Sequence, residues 1–237
     1  LLLSQGQFLS SEGLCRSFGE GGDGYVPSEG VGAVLLKPLH RAQADGDRIY
    51  GVIKGSAMNH GGKTNGFTVP NPVAQGEVIG RALKQSGVPG AAISYVEAHG
   101  TGTSLGDPIE IAGLSRALGQ DQSDGECVLG SVKSNIGHAE SAAGIAGLTK
   151  ILLQMQHGQL VPSLHSEELN SNIDFASTRF RVQQSLSPWP RPQVAGEDGV
   201  LRESPRIAGL SAFGAGGSNA HLVIEEYLEP ERAAVVT

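Results

Sequence analysis

Cysteine is nearly absent: the 237 residues hold two, Cys15 and Cys127. Thiols so few and so far apart exclude a disulfide framework and a clustered-cysteine zinc site. Positive charge is also scarce. Seventeen Lys and Arg face 24 Asp and Glu, a formal net charge of −7, and no Lys/Arg cluster is available to neutralise phosphates. Nucleic-acid binding is therefore not expected. No apolar run approaches the roughly 18 residues of a membrane span. The opening residues do not have the charged-then-apolar pattern of a signal peptide. The expected setting is the cytoplasm, away from membranes.

Glycine, by contrast, is abundant. The 35 glycines are about double the usual share of ~7 %. They are not periodic, which rules out collagen, and they gather at the ends of apolar runs. That placement suggests loops built for close backbone approach. The first nine residues, LLLSQGQFL, read as the middle of a helix, so the chain is expected to be part of a longer one.

Along the chain, GVGAVLLK (30–37) is an apolar run consistent with a buried strand closed by Pro38, and IYGVIKGSA (49–57) reads as another strand. A Gly/Asn/Pro loop covers 58–72. Residues 73–86 carry Val73, Val78, Ile79 and Leu83 at helical spacing and stop at Gly87 and Pro89. ISYVEA (93–98) is a short strand followed by the loop HGTGTSLG. Asp107-Pro108-Ile109-Glu110 then reads as a helix start, with Asp as N-cap, Pro at the first position and Glu completing a capping box. Cys127 to Val132 is a strand with KSNIGH as its exit. Residues 139–157 form a long helix with Ile145, Leu148, Leu152 and Met155 on one face. After a polar, Pro-rich stretch with a short strand at Phe180–Gln183, two strands, Ile207–Ala212 and His221–Glu226, flank FGAGGSN. Strands alternating with helices point to a layered α/β fold, with the last two strands added as an antiparallel hairpin.

Several chemical signals fail on inspection. Gly61-Gly62-Lys63-Thr64 looks like the end of a phosphate loop, but Ala57 stands where the motif needs glycine, so a flexible loop is the better reading. Neither the glycines at 100–106 nor those at 214–217 satisfy the dinucleotide fingerprint. His99 and His138 are the sharper signal. Each follows a strand in a Gly-rich context, where α/β folds collect their chemistry. A helix start after His138 would favour its neutral ring. A metal would need a third ligand, and none stands at recognisable spacing. His40, His60, His157 and His165 read as surface residues and His221 as packed. Cys127 reads as packed in a strand, and Cys15 lacks a sharp strand-to-helix turn; neither is expected to be a nucleophile.

Three ordered motifs, VEAHGTGTSLGDPIE (96–110), GSVKSNIGHAESAAG (130–144) and SAFGAGGSNAH (211–221), together resemble the ketosynthase domain of modular type I polyketide synthases, a β-ketoacyl synthase of the thiolase-like superfamily. The resemblance runs from LCRSFGEGGDGYVPSEGVGAVLLKPL to HLVIEE. It implies a layered αβαβα fold, divided as residues 1–48 from the end of the N-terminal half, 49–226 as the C-terminal half, and 227–237 as a tail or linker.

The resemblance also implies a reaction. An acyl group is loaded onto a cysteine, malonyl on acyl carrier protein loses carbon dioxide, and the enolate attacks the acyl thioester. In that scheme His99 and His138 stabilise the thioester oxygen. Lys133 pairs with Glu110. Thr101 and Thr103 hold the phosphopantetheine arm of the carrier, the Ala215 N–H is an oxyanion donor, and Phe213 and Asn135 lie nearby. No cofactor is implied for the domain itself; the partners are acyl carrier protein, the remaining N-terminal half and a second copy in a homodimer. The family's nucleophile elbow has no counterpart here, so the chain alone is expected to be inactive. Gly147 stands where fatty-acid members often carry Glu, as is usual in polyketide types. The alternatives are a non-catalytic scaffold or carrier-docking module and, resting only on the GGKT loop, a nucleotide-binding protein.

Overall fold

The computed structural model describes residues 8–64, 66, 69–119, 125–195 and 199–229. Most of the opening LLLSQGQFL and residues 230–237 of the expected tail lie outside them. The framework is a six-stranded mixed sheet in the order β1-β10-β9-β2-β3-β5. Its strands are β1 (Val52–His60), β2 (Tyr95–Glu97), β3 (Cys127–Gly130), β5 (Phe180–Val182), β9 (Ile207–Phe213) and β10 (Ser218–Glu225). β9, β2, β3 and β5 run parallel, while β10 is antiparallel to both of its neighbours. The terminal β9–β10 hairpin is thus built into the sheet, where it joins β1 to the parallel set.

The parallel strands are buried on both faces, as such strands must be. Their side chains alternate between two cores. Val96, Cys127, Leu129, Ile207 and Val223 face one cluster, covered by α2 (Pro72–Ser86) and α3 (Gly106–Leu118) through Val78, Ile79, Leu83, Ile111 and Leu114. Tyr95, Val128, Ala208, Leu210 and Ile224 face the other, covered by α5 (Ala143–His157) through Leu148, Ile151 and Met155. Ile145 and Leu152 are partly buried against that cluster, so the apolar face expected for this helix is the one it packs. The described chain is therefore an α/β/α sandwich. Short helices α1 (Leu39–Ala44) and α4 (Lys133–Ile136) and the small strand pairs β4–β6 (Gln159–Leu160, Ser187–Pro188) and β7–β8 (Gln193–Ala195, Leu201–Glu203) complete it.

α2 begins as its sequence dictates. Asn71 Oδ1 accepts from Val73 N and Ala74 N, Pro72 occupies the first turn, and Gly87 (φ +69°) closes the helix by donating to Leu83 O. Val73, expected on its apolar face, is exposed. Other boundaries also moved. The strand expected at 49–57 runs over Val52–His60, and His221 is the fourth residue of β10 rather than its first. A 3₁₀ turn, Glu140–Ala142, separates His138 from α5.

Two expectations fail. Asp107 is not the cap of α3. The helix starts at Gly106, and the Thr103 hydroxyl accepts from Gly106 N at 3.0 Å instead. Asp107 is buried and its carboxylate is committed elsewhere. Residues 30–37 are not a strand: no strand among the described residues pairs with them. Val31 and Leu35 are 99 % and 95 % exposed, and Leu36 is exposed beside them. The run has the composition of a buried strand and lacks a covering layer among the described residues.

The outer side of α5 shares this condition. Ile145, Ala146, Thr149 and Leu153 line a groove of about 510 Å³ beneath residues 29–32. Apolar surface of this kind drives association in water. The 237-residue chain, expressed by itself, is expected to bind an apolar dye and to self-associate. Replacing Val31, Leu35 and Leu36 together by Ser should reduce both signals. A monomeric, dye-negative chain with a sharp cooperative melting transition would contradict this.

Candidate active site

Because β9, β2 and β3 are adjacent and parallel, their C-terminal ends deliver three loops to one place. These are residues 214–217 after β9, 98–105 after β2, and 131–138 after β3. This is where open α/β sheets hold ligands. Residues 15–28 form the fourth wall. Ser17 Oγ donates to Gly100 O (2.6 Å), Gly24 N to Gly102 O (3.2 Å), His138 N to Val26 O (2.7 Å) and Ser28 N to His138 O (3.0 Å).

The rings of His99 and His138 meet edge to face with centroids 5.3 Å apart. Each Nδ1 accepts a backbone N–H: Phe213 N donates to His99 (3.3 Å) and Glu140 N to His138 (2.9 Å). A neutral imidazole with Nδ1 accepting carries its proton on Nε2. Both rings therefore hold an Nε2–H donor in reserve. Phe213 and Tyr25 flank the pair, at 5.8 Å from His99 and 4.9 Å from His138.

Neutrality is enforced by the surroundings. Burial, then the nearby charge of Lys133, then His138, push the pKa of His99 well below its usual value. Burial and Lys133 lower that of His138 to about 4. The intervening 3₁₀ turn means that burial and a cation, rather than a following helix dipole, keep His138 neutral.

Three charged groups lie under the pair. Glu110 Oε1 accepts from His99 N (2.7 Å) and Oε2 from Gly100 N (2.8 Å). Asp107 accepts from Phe18 N (2.7 Å) and Gly102 N (3.2 Å). Gly102 has φ +74°, a conformation that turns its N–H inward and that other residues rarely adopt. Burial raises both carboxyl pKa values despite these bonds. Lys133 is buried, which lowers its pKa, while Glu97, then Glu110, Cys15 and Asp107 oppose that shift. Among the described contacts Lys133 and Glu110 form no ion pair within 4 Å. The expected pairing is replaced by carboxylate-to-backbone bonds, so Glu110 fixes the chain at His99 and acts on Lys133 only through space.

The remaining expected residues divide. The Thr101 and Thr103 hydroxyls lie 3.3 Å apart at the loop surface, with Thr103 also capping α3. Ala215 is exposed in the turn after Phe213, and among the described residues nothing accepts its N–H. Asn135 faces the groove beside α5, and its side-chain Oδ1 accepts from Ser134 Oγ rather than meeting either histidine. Cys15 is buried, its Sγ accepting from Val26 N (3.1 Å), and burial raises its thiol; Cys127 lies inside β3 with its thiol pushed up to about 12. Neither presents a ready thiolate.

Sequence reasoning missed His60. Its Nε2 lies 3.0 Å from Gly216 O, and Gly61 N donates to Gly217 O (2.7 Å), so the GGKT loop braces the turn carrying Ala215. That loop leads to α2 eight residues later, not directly into a helix as a phosphate loop would. No local signal in the sequence marks it: the contact follows from the pairing of β1 with β10, which brings His60 opposite Ser218.

Residues 50–167 match the family "Beta-ketoacyl synthase, C-terminal domain", and residues 1–42 match "Beta-ketoacyl synthase, N-terminal domain". Polyketide synthase PksL of Bacillus subtilis (strain 168) is 63 % identical over 228 residues, covering 96 % of this chain and 5 % of that protein. Polyketide synthase ThaG of Burkholderia thailandensis is 60 % identical over 229 residues, covering 96 % and 4 %. Among solved structures, an oxazolomycin ketosynthase domain of Streptomyces albus JA3453 superposes with a TM-score of 0.92 at 57 % identity. It covers 98 % of this chain, which spans 40 % of that one. The ketosynthase from module 6 of the Bacillus subtilis 168 bacillaene synthase gives 0.86 at 44 % identity, with 96 % and 39 % covered. The chain belongs to the β-ketoacyl synthase family, as part of a polyketide synthase ketosynthase domain with the thiolase-like layered α/β fold.

Proposed function

We propose that this chain supplies the decarboxylation and condensation half of a ketosynthase site. The observation that carries the reading is the His99–His138 pair, two neutral rings whose Nδ1 atoms are occupied by backbone donors and whose Nε2–H groups remain to be used. Malonyl on the phosphopantetheine arm of acyl carrier protein loses its carboxylate: the carbon–carbon bond breaks, carbon dioxide leaves, and the electron pair becomes an enolate on the thioester oxygen. Two fixed N–H donors aimed at that oxygen stabilise it in advance, without solvent rearrangement. The enolate carbon then attacks the acyl thioester on a cysteine that these residues do not provide. A carbon–carbon bond forms, and the carbon–sulfur bond breaks to return the thiolate.

In this reading the free Ala215 N–H is one donor to the oxyanion of the acyl thioester, and Thr101 and Thr103 contact the carrier arm. Burial, assisted by Lys133, keeps both imidazoles neutral, and Glu110 holds the backbone of His99. Phe213 completes the wall beside His99, while Asn135 belongs to the groove. Residues 1–48 are the end of the N-terminal half, of which 15–28 close the site, and 49–226 form the C-terminal half, a division supported by the family matches to 1–42 and 50–167. Residues 227–237 are a tail or linker. Acyl carrier protein, the rest of the N-terminal half and a second copy are the proposed partners, in the cytoplasm. The domain itself needs no cofactor beyond the carrier's arm. No helix among the described residues is long and apolar enough to cross a membrane.

In a complete domain bearing this sequence, His99→Ala and His138→Ala are each expected to lower condensation by on the order of 10²–10³-fold, about 3–4 kcal/mol. Acylation of the nucleophile should suffer less. Wild-type condensation by both variants would remove the proposed roles. For the 237-residue chain alone, incubation with an acyl thioester should leave Cys15 and Cys127 unmodified by mass spectrometry, and stoichiometric acylation of either would overturn that assignment.

A further inference from the structure

Glu97, the last residue of β2, is as buried as the apolar core around it, and no step above uses it. Its side chain shares a face with Tyr95 and lies under α5. Oε2 accepts from Tyr95 Oη at 2.6 Å and sits 2.8 Å from Lys150 Nζ of α5, itself buried. The ammonium is off the hydrogen-bonding axis, so the attraction is between charges, and it also stands over the Tyr95 ring, 5.7 Å from its centroid. The other oxygen, Oε1, accepts from Val132 N at 2.5 Å, the residue directly before Lys133.

Two glycines make room for this cluster. A Cβ on Gly130 would lie 2.5 Å from Tyr95 Oη and 3.0 Å from Lys150 Nζ; one on Gly147 would lie 3.0 Å from Glu97 Cγ and 2.8 Å from Leu210 Cδ1. The Glu97 side chain enters the space beside Gly147 from the strand side.

A buried carboxylate is costly unless paired and hydrogen-bonded. This one is held at three points, and one of them is the backbone of the site lysine. We propose that Glu97 is a positioning residue for the condensation site: anchored by Tyr95 and Lys150, it fixes Val132 and, through it, sets the place and the charge of Lys133. The inference rests on the ketosynthase reading for its link to condensation, but not for its effect on Lys133.

The groups facing Lys133 are Glu97 on β2, His99 after it, Asp107 and Glu110 on α3, Cys15 on the N-terminal wall, and His138. Glu97 is the foremost of those sustaining its charge. A nearby carboxylate favours the ammonium, so removing it must let Lys133 lose its proton at lower pH. Burial alone still keeps His99 and His138 neutral there, so what the site loses is the Lys133 cation itself.

The test uses a complete ketosynthase domain bearing this sequence, with Glu97→Gln, Lys150→Met and the pair combined. Glu97→Gln keeps the shape and an acceptor for Val132 N but leaves Lys150 as an unpaired buried cation. Combining it with Lys150→Met removes that burden, so the double variant should regain thermal stability. Lys133 is titrated through its ¹³Cε resonance in lysine-labelled protein, assigned with Lys133→Met. In both Glu97 variants the midpoint should fall by on the order of one pH unit. Condensation should drop at least about tenfold and its alkaline limb should move down in step, while nucleophile acylation changes little. An unmoved Lys133 midpoint in the stable double variant overturns the proposal. So does recovery of wild-type condensation together with stability, which would make the cluster merely structural. If the wild-type domain itself does not condense, the ketosynthase reading falls, and the Lys133 midpoint still decides the effect of Glu97.

Discussion

The parallel pairing of β2 with β9 on one side and β3 on the other is the constraint on which the site depends. Glu97 stands level with Leu210 on one neighbour and Gly130 on the other. A slip of one residue in either ladder would exchange the two faces of the strand and send a carboxylate into the opposite core. The same register sets the heights at which the three loops leave the sheet. His99 and His138, 39 positions apart, meet only because their strands end together.

Under the two neutral rings the protein keeps a compartment of buried charge. Asp107 and Glu110 are held by backbone N–H groups on one side of the sheet, and Glu97 and Lys150 by each other on the opposite side. Lys133 lies between these sets. The members are buried, and buried charge depends on defined partners. A polar network of this kind resists deformation more than an apolar core would, because displacing one group strands another. Donor positions above it are thereby held without contribution from the substrate.

Much of this was legible in the sequence and some was not. The alternation of strands and helices, the stop at Gly87 and the two histidines in Gly-rich exits are local signals, and local signals survive folding. Asp107 and Glu110 misled because their spacing also fits a capping box. What decided their fate was the inward-turned backbone of Gly100 and Gly102 and the approach of Phe18, contacts across long stretches of chain. His60 was invisible for the same reason: its partner at Gly216 lies 156 residues away. The run at 30–37 was read correctly as apolar and wrongly as a paired strand, since composition records the need for burial and not the presence of a neighbour. Glu97 could be seen in its motif, but nothing in the sequence announced that Gly130 and Gly147 were hollowed out around it.

The N-terminal wall has a consequence for building chimeric synthases. Residues 15–28 join the strand-end loops largely through main-chain groups: Phe18 N, Gly24 N, the Val26 carbonyl and Ser28 N. Main-chain bonds carry no side-chain identity. A crossover placed between this wall and β1 would therefore ask segments from different parents to share few side chains at the seam: Ser17 against Gly100, Asp107 beneath Phe18 N, the Phe18 ring in the core and Tyr25 against His138. Beyond these, what the parents must share is the path of the chain.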